Sequence, residues 1–271
     1  MLHGHIVKIG ASPMLKAIDH LVIAVPDLEA ATENYRELGF TVSPGGKHAT
    51  ASYNSLIGFQ DGSYIELLGF YEDSPEHPWW DLLHERGGGL IDFCMQTDDI
   101  QADYAKLQTA GVTMTDLTDL SRVRPDGYEL AWVNNKVTGV YQGLVPFIIE
   151  DKTPRDERVP KERTHNNGVV GIHTLTLVAS DLDLVQHVYT PLLGHSGTPL
   201  TDADLDARGM DYTFGPHTLR FLTPNRASSP LAAHLSENAP VPYEVSFVTH
   251  DVPGMLSLRQ TEGVRIRLVP A

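Results

Sequence analysis

One local pattern is written four times in this chain, and a fourfold repeat restricts the possible folds more than composition does. In the first copy, IDHLVIAVPDL, Leu21, Ile23 and Val25 alternate with His20, Val22 and Ala24, as in a strand whose two faces meet different surroundings. Asp27 stands where a helix N-cap belongs. Leu28, Ala31, Tyr35 and Leu38 then recur at helical spacing, and Gly39 closes the run as a C-terminal glycine would. Asp99 to Gly111 repeats the twelve-residue interval at an ungapped offset of 72, and Asp251 to Gly263 repeats it again. The remaining copy, Asp181 to Gly194, is one residue longer and carries Pro191 in its last turn.

After the first helix come three strand-like runs, FTVSP, SYNSLIGF and SYIELLGF, with Gly45-Gly46 and Asp61-Gly62 as turn signals. The repeating unit is therefore βαβββ, an α+β arrangement. YELAWVNN and VYQGLVPFII supply the later strands of the second copy, MDYTFG and HTLRFLTP those of the third. The fourth stops at RIRLVP and is expected to lack its last two strands. A chain of 271 residues suits two domains, here 1–150 and 169–271, each built from a pair of units. The charged, proline-punctuated stretch 151–168 reads as the linker. Residues 1–14 read as a short extension.

With 20 basic against 35 acidic residues and a net charge of -15, nucleic acid and anionic membrane are not expected partners. No run reaches the roughly 18 apolar residues of a membrane span. A single cysteine, Cys94, allows no internal disulfide, so the expected location is cytoplasmic.

Paired βαβββ units with a histidine on the first strand and a glutamate on the fourth resemble the vicinal oxygen chelate superfamily. That group includes glyoxalases, extradiol dioxygenases and bleomycin resistance proteins. The segments GGKHATASYNSLIGFQDGSYIELLGF, RVRPDGYELAWV and LVPFIIEDKTPRDERVP are similar to its glyoxalase-like domain family. The resemblance implies that two units curl into a cup, with metal ligands projecting inward from first and fourth strands; the repeat itself gives four units with the last truncated. His20 and Glu66 occupy those places in the first copy, and the offset of 72 brings Asp92 to the place of His20. Imidazole and carboxylate donors suit a divalent Fe, Mn, Zn or Ni ion. Cys94 and Gln96 alternate with Asp92 along LIDFCMQT and are expected to line the hollow. GLVPFII offers no fourth-strand ligand. In the second half, His173 would need a strand bulge to aim inward, Glu244 falls at the place of His20, and Arg220 near that of Glu66, so this half reads as structural.

His48 is the expected proton carrier and Asn54 a substrate contact at the mouth, with turn chemistry as the alternative for both. Arg122 and Arg124 are expected to clamp a ligand anion, or else to pair with acids of this chain. Trp79 and Trp80 suit either an apolar ligand or packing between units. The glycines at 87–89 lack the Lys-Ser/Thr continuation of a phosphate loop, and no GxSxG elbow occurs. Two functions remain in view: a metal-dependent enzyme acting on a small molecule with vicinal oxygens, and a metal-free protein that sequesters a small molecule. The open edge of the truncated unit suggests a homodimer.

Overall fold

The computed structural model describes residues 15–48, 50–77, 79–237 and 242–271; the amino-terminal extension lies outside them. The first unit runs β1 (Ile18–Ala24), α1 (Leu28–Glu37), β2 (Ser43–His48), β3 (Ser52–Gly58) and β4 (Tyr64–Phe70). After α2 (Trp80–Arg86), the second runs β5 (Gly89–Gln96), α3 (Ile100–Thr109), β6 (Thr118–Val123), β7 (Glu129–Asn134) and β8 (Phe147–Asp151). A one-turn α4 (Arg155–Arg158) leads to β9 (Val169–Val178), α5 (Leu182–Leu193), β10 (Thr198–Asp202), β11 (Ala207–Phe214) and β12 (His217–Pro224). Then follow α6 (Pro230–Glu237), β13 (Glu244–Thr249), the two-residue β14 (Gly254–Met255) and β15 (Ile266–Pro270). Among the described residues no helix is long and apolar enough to cross a membrane.

The aspartate caps form at three of the four repeats. Asp27 accepts from the amides of Glu29 and Ala30, Asp99 from Ala102, and Asp181 from Asp183 and Leu184. The fourth expected helix does not form. Residues 251–263 make turns and β14, because Pro253 and Gly254 fall in what would be the first turn, and Asp251 accepts from the adjacent Val252 amide instead of one further along. The assignment of RIRLVP is corrected as well. β15 pairs parallel with β13, Ser246 opposite Arg267, as β4 pairs parallel with β1, Val22 opposite Glu66. It therefore takes the fourth-strand place, and the pieces absent from this unit are its helix and a full middle hairpin.

The first two units close into an eight-stranded barrel in the order β1-β4-β3-β2-β6-β7-β8-β5, tighter than an open cup. The third and fourth form an open seven-stranded sheet, β10-β11-β12-β9-β13-β15-β14. Gly45-Gly46, read as a turn, lies inside β2 at a bulge. The reason is steric: a Cβ on Gly46 would sit 2.2 Å from the Val123 carbonyl oxygen, so only glycine lets β2 meet β6 and close the barrel.

A further bulge recurs eight residues before each helix-capping aspartate of the first three units, at Asp19, Ile91 and His173. His173 does sit on its bulge, yet it is exposed while Thr174 is buried in the inward register. The outer faces of both sheets and helices α1, α3 and α5 share one apolar cluster, including Leu21, Tyr35, Phe93, Leu107, Tyr189 and Phe247. The Tyr189 hydroxyl donates to the Leu144 carbonyl at 2.8 Å, tying the two halves together.

Candidate active site in the first barrel

Inside the barrel, Val22, Ala24, Leu68, Cys94, Leu130 and Phe147 make an apolar floor. Above it opens a cavity of about 270 Å3 whose polar wall includes His20, His48, Asn54, Glu66, Arg122 and Lys136. Such a mix, mostly apolar with a few convergent polar groups, is what a small-molecule site needs.

His20 comes from β1 and Glu66 from β4, one strand over. His20 Nε2 lies 3.6 Å from Glu66 Oε2, and His48 Nε2 lies 3.8 Å from Glu66 Oε1, so two imidazoles flank one carboxylate. Asn54 donates to Glu66 Oε1 at 2.5 Å and accepts from Arg122 Nη1 at 3.2 Å. Burial would raise the Glu66 carboxyl, but His48, His20, the Asn54 hydrogen bond and Arg122 together hold it below its ordinary value. Burial lowers His48 to about 4, so this imidazole is neutral near pH 7. A glycine makes the arrangement possible, since a Cβ on Gly45 would fall 1.9 Å from Asn54 Oδ1 and 2.7 Å from Arg122 Nη1.

The other nitrogen of His20, Nδ1, is 2.7 Å from Asp19 Oδ1. Asp19 is itself fully buried and receives Arg158 Nη1 and Nη2 at 2.8 and 2.9 Å, with Arg155 also bonded to it. Burial opposes ionisation, yet Arg158, the His20 hydrogen bond and Arg155 hold the Asp19 carboxyl well below the usual range. An ionised acceptor at Nδ1 fixes the tautomer with the proton on that side and leaves the Nε2 lone pair facing the cavity. Tyr64 stacks on the ring at 4.7 Å and accepts from Arg158 at 2.7 Å. The donor atoms of Asp19, His20 and Cys94 lie within 4.8 Å of one another. Two arginines already neutralise Asp19, and burial pushes the Cys94 thiol well up, so this trio is poorly suited to an ion.

The structure therefore brings His20, Glu66, His48, Asn54 and Arg122 together. Asp92 lies apart from them: its oxygens accept from Trp79 Nε1 at 3.1 Å and from the Phe93 amide at 2.8 Å, and burial raises it to about 6. Cys94 is part of the floor, opposite His20 in the β1–β5 ladder, and Gln96 stands farther along β5 beside Ile149 of β8. Arg124 is held by Asp126 and Glu157, at 2.6 Å each, in a separate hollow. Trp79 lines the cavity, whereas Trp80 stacks on His84. At the place of Glu66, β8 presents Phe147, opposite Cys94.

Sequence reasoning passed over Asp19, Tyr64, His77, Lys136 and Arg158. Asp19 carried one signal, an acid next to His20 inside an apolar strand. Arg158 lies in the family-like segment LVPFIIEDKTPRDERVP but carried no signal of its own, because that stretch reads as a linker.

A barrel of two βαβββ units with a histidine and a glutamate facing one hollow defines a protein of the vicinal oxygen chelate fold. The chain belongs to the glyoxalase-like domain family, whose profile matches residues 18–193. Among solved structures it is similar to a hypothetical protein from Staphylococcus aureus, with TM-score 0.69 and 14% identity, covering 94% of this chain and 99% of that one. It is also similar to a mutant 4-hydroxymandelate synthase from Streptomyces coelicolor, with TM-score 0.60 and 15% identity, over 88% of this chain and 72% of that one. A third is a fusion of a xylose isomerase-like TIM barrel with 4-hydroxyphenylpyruvate dioxygenase, with TM-score 0.55 and 16% identity, over 92% of this chain and 38% of that one. At such identities the likeness establishes the fold. Comparison by sequence with curated proteins gives no significant match.

Proposed function

We propose that the barrel cavity is the active site of a divalent-metal-dependent enzyme acting on a small molecule with vicinal oxygens, and that His20, Glu66 and His48 hold the ion. The observation that carries this is the pair of Nε2 atoms on either side of the Glu66 carboxylate, 3.6 and 3.8 Å away. Two imidazoles and a carboxylate are a donor set for first-row divalent ions that leaves coordination sites open. When bound, the ion would serve as a Lewis acid toward adjacent substrate oxygens.

The chain's own part is positioning. Asp19 keeps the His20 lone pair aimed inward, Asn54 and Arg122 keep Glu66 ionised, and the apolar floor limits water. His48, expected to carry protons, suits the third donor place better than Asp92. A carrier works best with a pKa near the working pH, whereas burial holds His48 at about 4.

A second reading, metal-free binding of a small molecule, is supported by Asn54, which already engages Glu66 at 2.5 Å. Metal retention separates the two. Chelator-stripped protein reloaded with Mn, Fe, Ni or Zn and freed of unbound ion should keep about one equivalent per chain, and the H20A/E66A double variant should keep none. Equal, negligible metal in both ends the enzymatic proposal and leaves the binding one.

A further inference from the structure

Among the described residues, most cations away from the barrel cavity are either paired with an acid or, like Lys47, Arg208, Arg259 and Arg265, exposed to solvent. Arg124, Arg155, Arg158, Arg220, Arg226 and Arg267 each have a carboxylate partner. Lys136 and Arg122, both on the cavity wall, have no carboxylate oxygen within 4.0 Å among the described residues. Arg122 is satisfied by neutral acceptors, Asn54 Oδ1 and the Arg158 carbonyl oxygen at 3.4 Å. Lys136 is different. Its main chain is pinned to Thr115 on both sides, amide to Oγ1 at 2.9 Å and carbonyl to amide at 2.8 Å. Its ammonium rests on ring faces only, 3.7 Å from the Trp79 centroid and 4.0 Å from the Phe147 centroid.

Lys136 is half-buried, and an ammonium partly shielded from water with no anion beside it is left under-compensated, since ring faces offset only part of the lost hydration. Burial lowers the Lys136 ammonium, with Asp92, Cys94 and Glu66 opposing. Around it the wall is aromatic: Tyr64, Trp79, Trp132 and Phe147. We infer that the cavity's ligand is an organic monocarboxylate with a flat apolar body, its carboxylate paired with Lys136 and its body lying among Trp79, Trp132 and Phe147. A phosphate, with its greater charge, would call for a cluster of donors; at this end of the cavity there is one ammonium among rings. The inference deepens the functional reading, since it rests on the same cavity being the ligand site, and it leaves His20, Glu66 and His48 for the ion.

Titration calorimetry on chelator-stripped protein tests it, with benzoate and salicylate as probes against benzamide, salicylamide and phenyl phosphate. The acids should bind at least about tenfold more tightly than their amides and more tightly than the phosphate. K136M should make acid and amide equal, and K136R, which keeps the charge and the ring stacking, should restore the preference. Thermal unfolding of each variant checks that it is folded; if K136M is not, K136Q takes its place, and K136R with the wild-type comparison still decides. Equal binding of acid and amide by the wild type, a preference that survives K136M, tighter phosphate binding, or no saturable acid binding at millimolar concentration each overturns the inference. None of these readings uses metal, so failed metal retention and failed acid preference are separate results.

Discussion

The two halves of this chain put different chemistry at the same fold positions. In the barrel, His20 and Glu66 face a hollow with open space around them. In the seven-stranded sheet the corresponding places hold Thr174 with Arg220 on one unit and Glu244 with Arg267 on the other, as the parallel registers show. There each charge is matched within the sheet: Arg220 bonds Asp211 at 2.9 and 2.8 Å, and Arg267 bonds Glu244 at 3.0 and 3.3 Å. α6 packs Leu231 against Val178, Ala207 and Leu222 on the same sheet. One register can thus carry a site or a set of closed ion pairs. The difference lies in whether the donors are left facing a walled hollow, and a barrel provides that where an open sheet does not.

The comparison is sharpest in the cost of breaking a charge pair. Asp19→Ala would leave Arg158, whose side chain is 3% exposed, with Asp151 as its one remaining carboxylate among the described residues, would take the acceptor from His20 Nδ1, and should cost about 3 to 5 kcal/mol in urea unfolding. Asp211→Ala removes the partner of Arg220 at a place where the side chains are 36% and 23% exposed, and should cost at most about 1 kcal/mol. Comparable losses would mean that the sheet's ion pairs are as buried in effect as those of the barrel.

Acidity probes the barrel next. His48 is lowered from 6.5 to about 4 by burial, so the unfolded chain binds its proton first. The stability this represents is present above pH 6.5 and is lost as pH falls toward 4, by about 3 kcal/mol. Asp92 runs the other way. Burial raises it from 3.8 to about 6, so the folded state binds the proton more tightly, and stability falls as pH rises between those values by an amount of about 3 kcal/mol. In chelator-stripped wild type the Asp92 slope offsets only part of the loss on acidification, because His77, also lowered to about 4 by burial, adds to the slope of His48. On acidification from pH 6.5 to 4 the unfolding free energy should drop more steeply in Asp92→Asn than in wild type, and less steeply in His48→Gln. Identical pH profiles for all three proteins would remove the claim that these groups are dry.

A smaller loss is expected from Gly45→Ala. The added methyl would collide with Asn54 Oδ1 and press on Arg122, so the pair must part, at about 1 to 3 kcal/mol. Metal retention should fall with it, because Asn54 then no longer steadies Glu66. Unchanged unfolding and unchanged retention together would show that the Asn54–Arg122 pair is incidental to the site.

Much of this architecture could be read from the chain, for a physical reason. Strand alternation, an N-cap aspartate and a terminal glycine are local devices, and they predicted β1, β5 and β9 with α1, α3 and α5 correctly. The same aspartate and glycine misled at 251–263, where Pro253 and Gly254 override the cap and no neighbouring sheet face demands a helix. At the site, His20 and Glu66 were legible because a polar residue inside an apolar strand needs an explanation. Asp19 was not, since its bulge breaks the period that alternation relies on. Lys136, His77 and Arg158 lie on connections, where position follows from tertiary contacts and has no signature in spacing. The stretch 151–168 looked like a linker because its charges and prolines suit solvent, yet Arg158 from it is buried against Asp19.

The least costly change bears on the comparison most directly. Glu244 and Arg267 stand at the places of His20 and Glu66, joined by two hydrogen bonds, with side chains 19% and 49% exposed. A double-mutant cycle with E244Q and R267M should return a coupling within about 1 kcal/mol, as solvent screening and side-chain entropy dictate for such a pair. The barrel's Asp19–Arg158 pair, measured the same way with D19N and R158M, should couple several times more strongly, because neither partner has water to fall back on. Similar couplings would mean that the two halves differ in residue identity alone. A weak sheet pair beside a strong barrel pair would instead trace the site to barrel closure itself, which depends on the narrow β2–β6 contact at Lys47–Val123 and His48–Arg122, and so on the glycines that permit it.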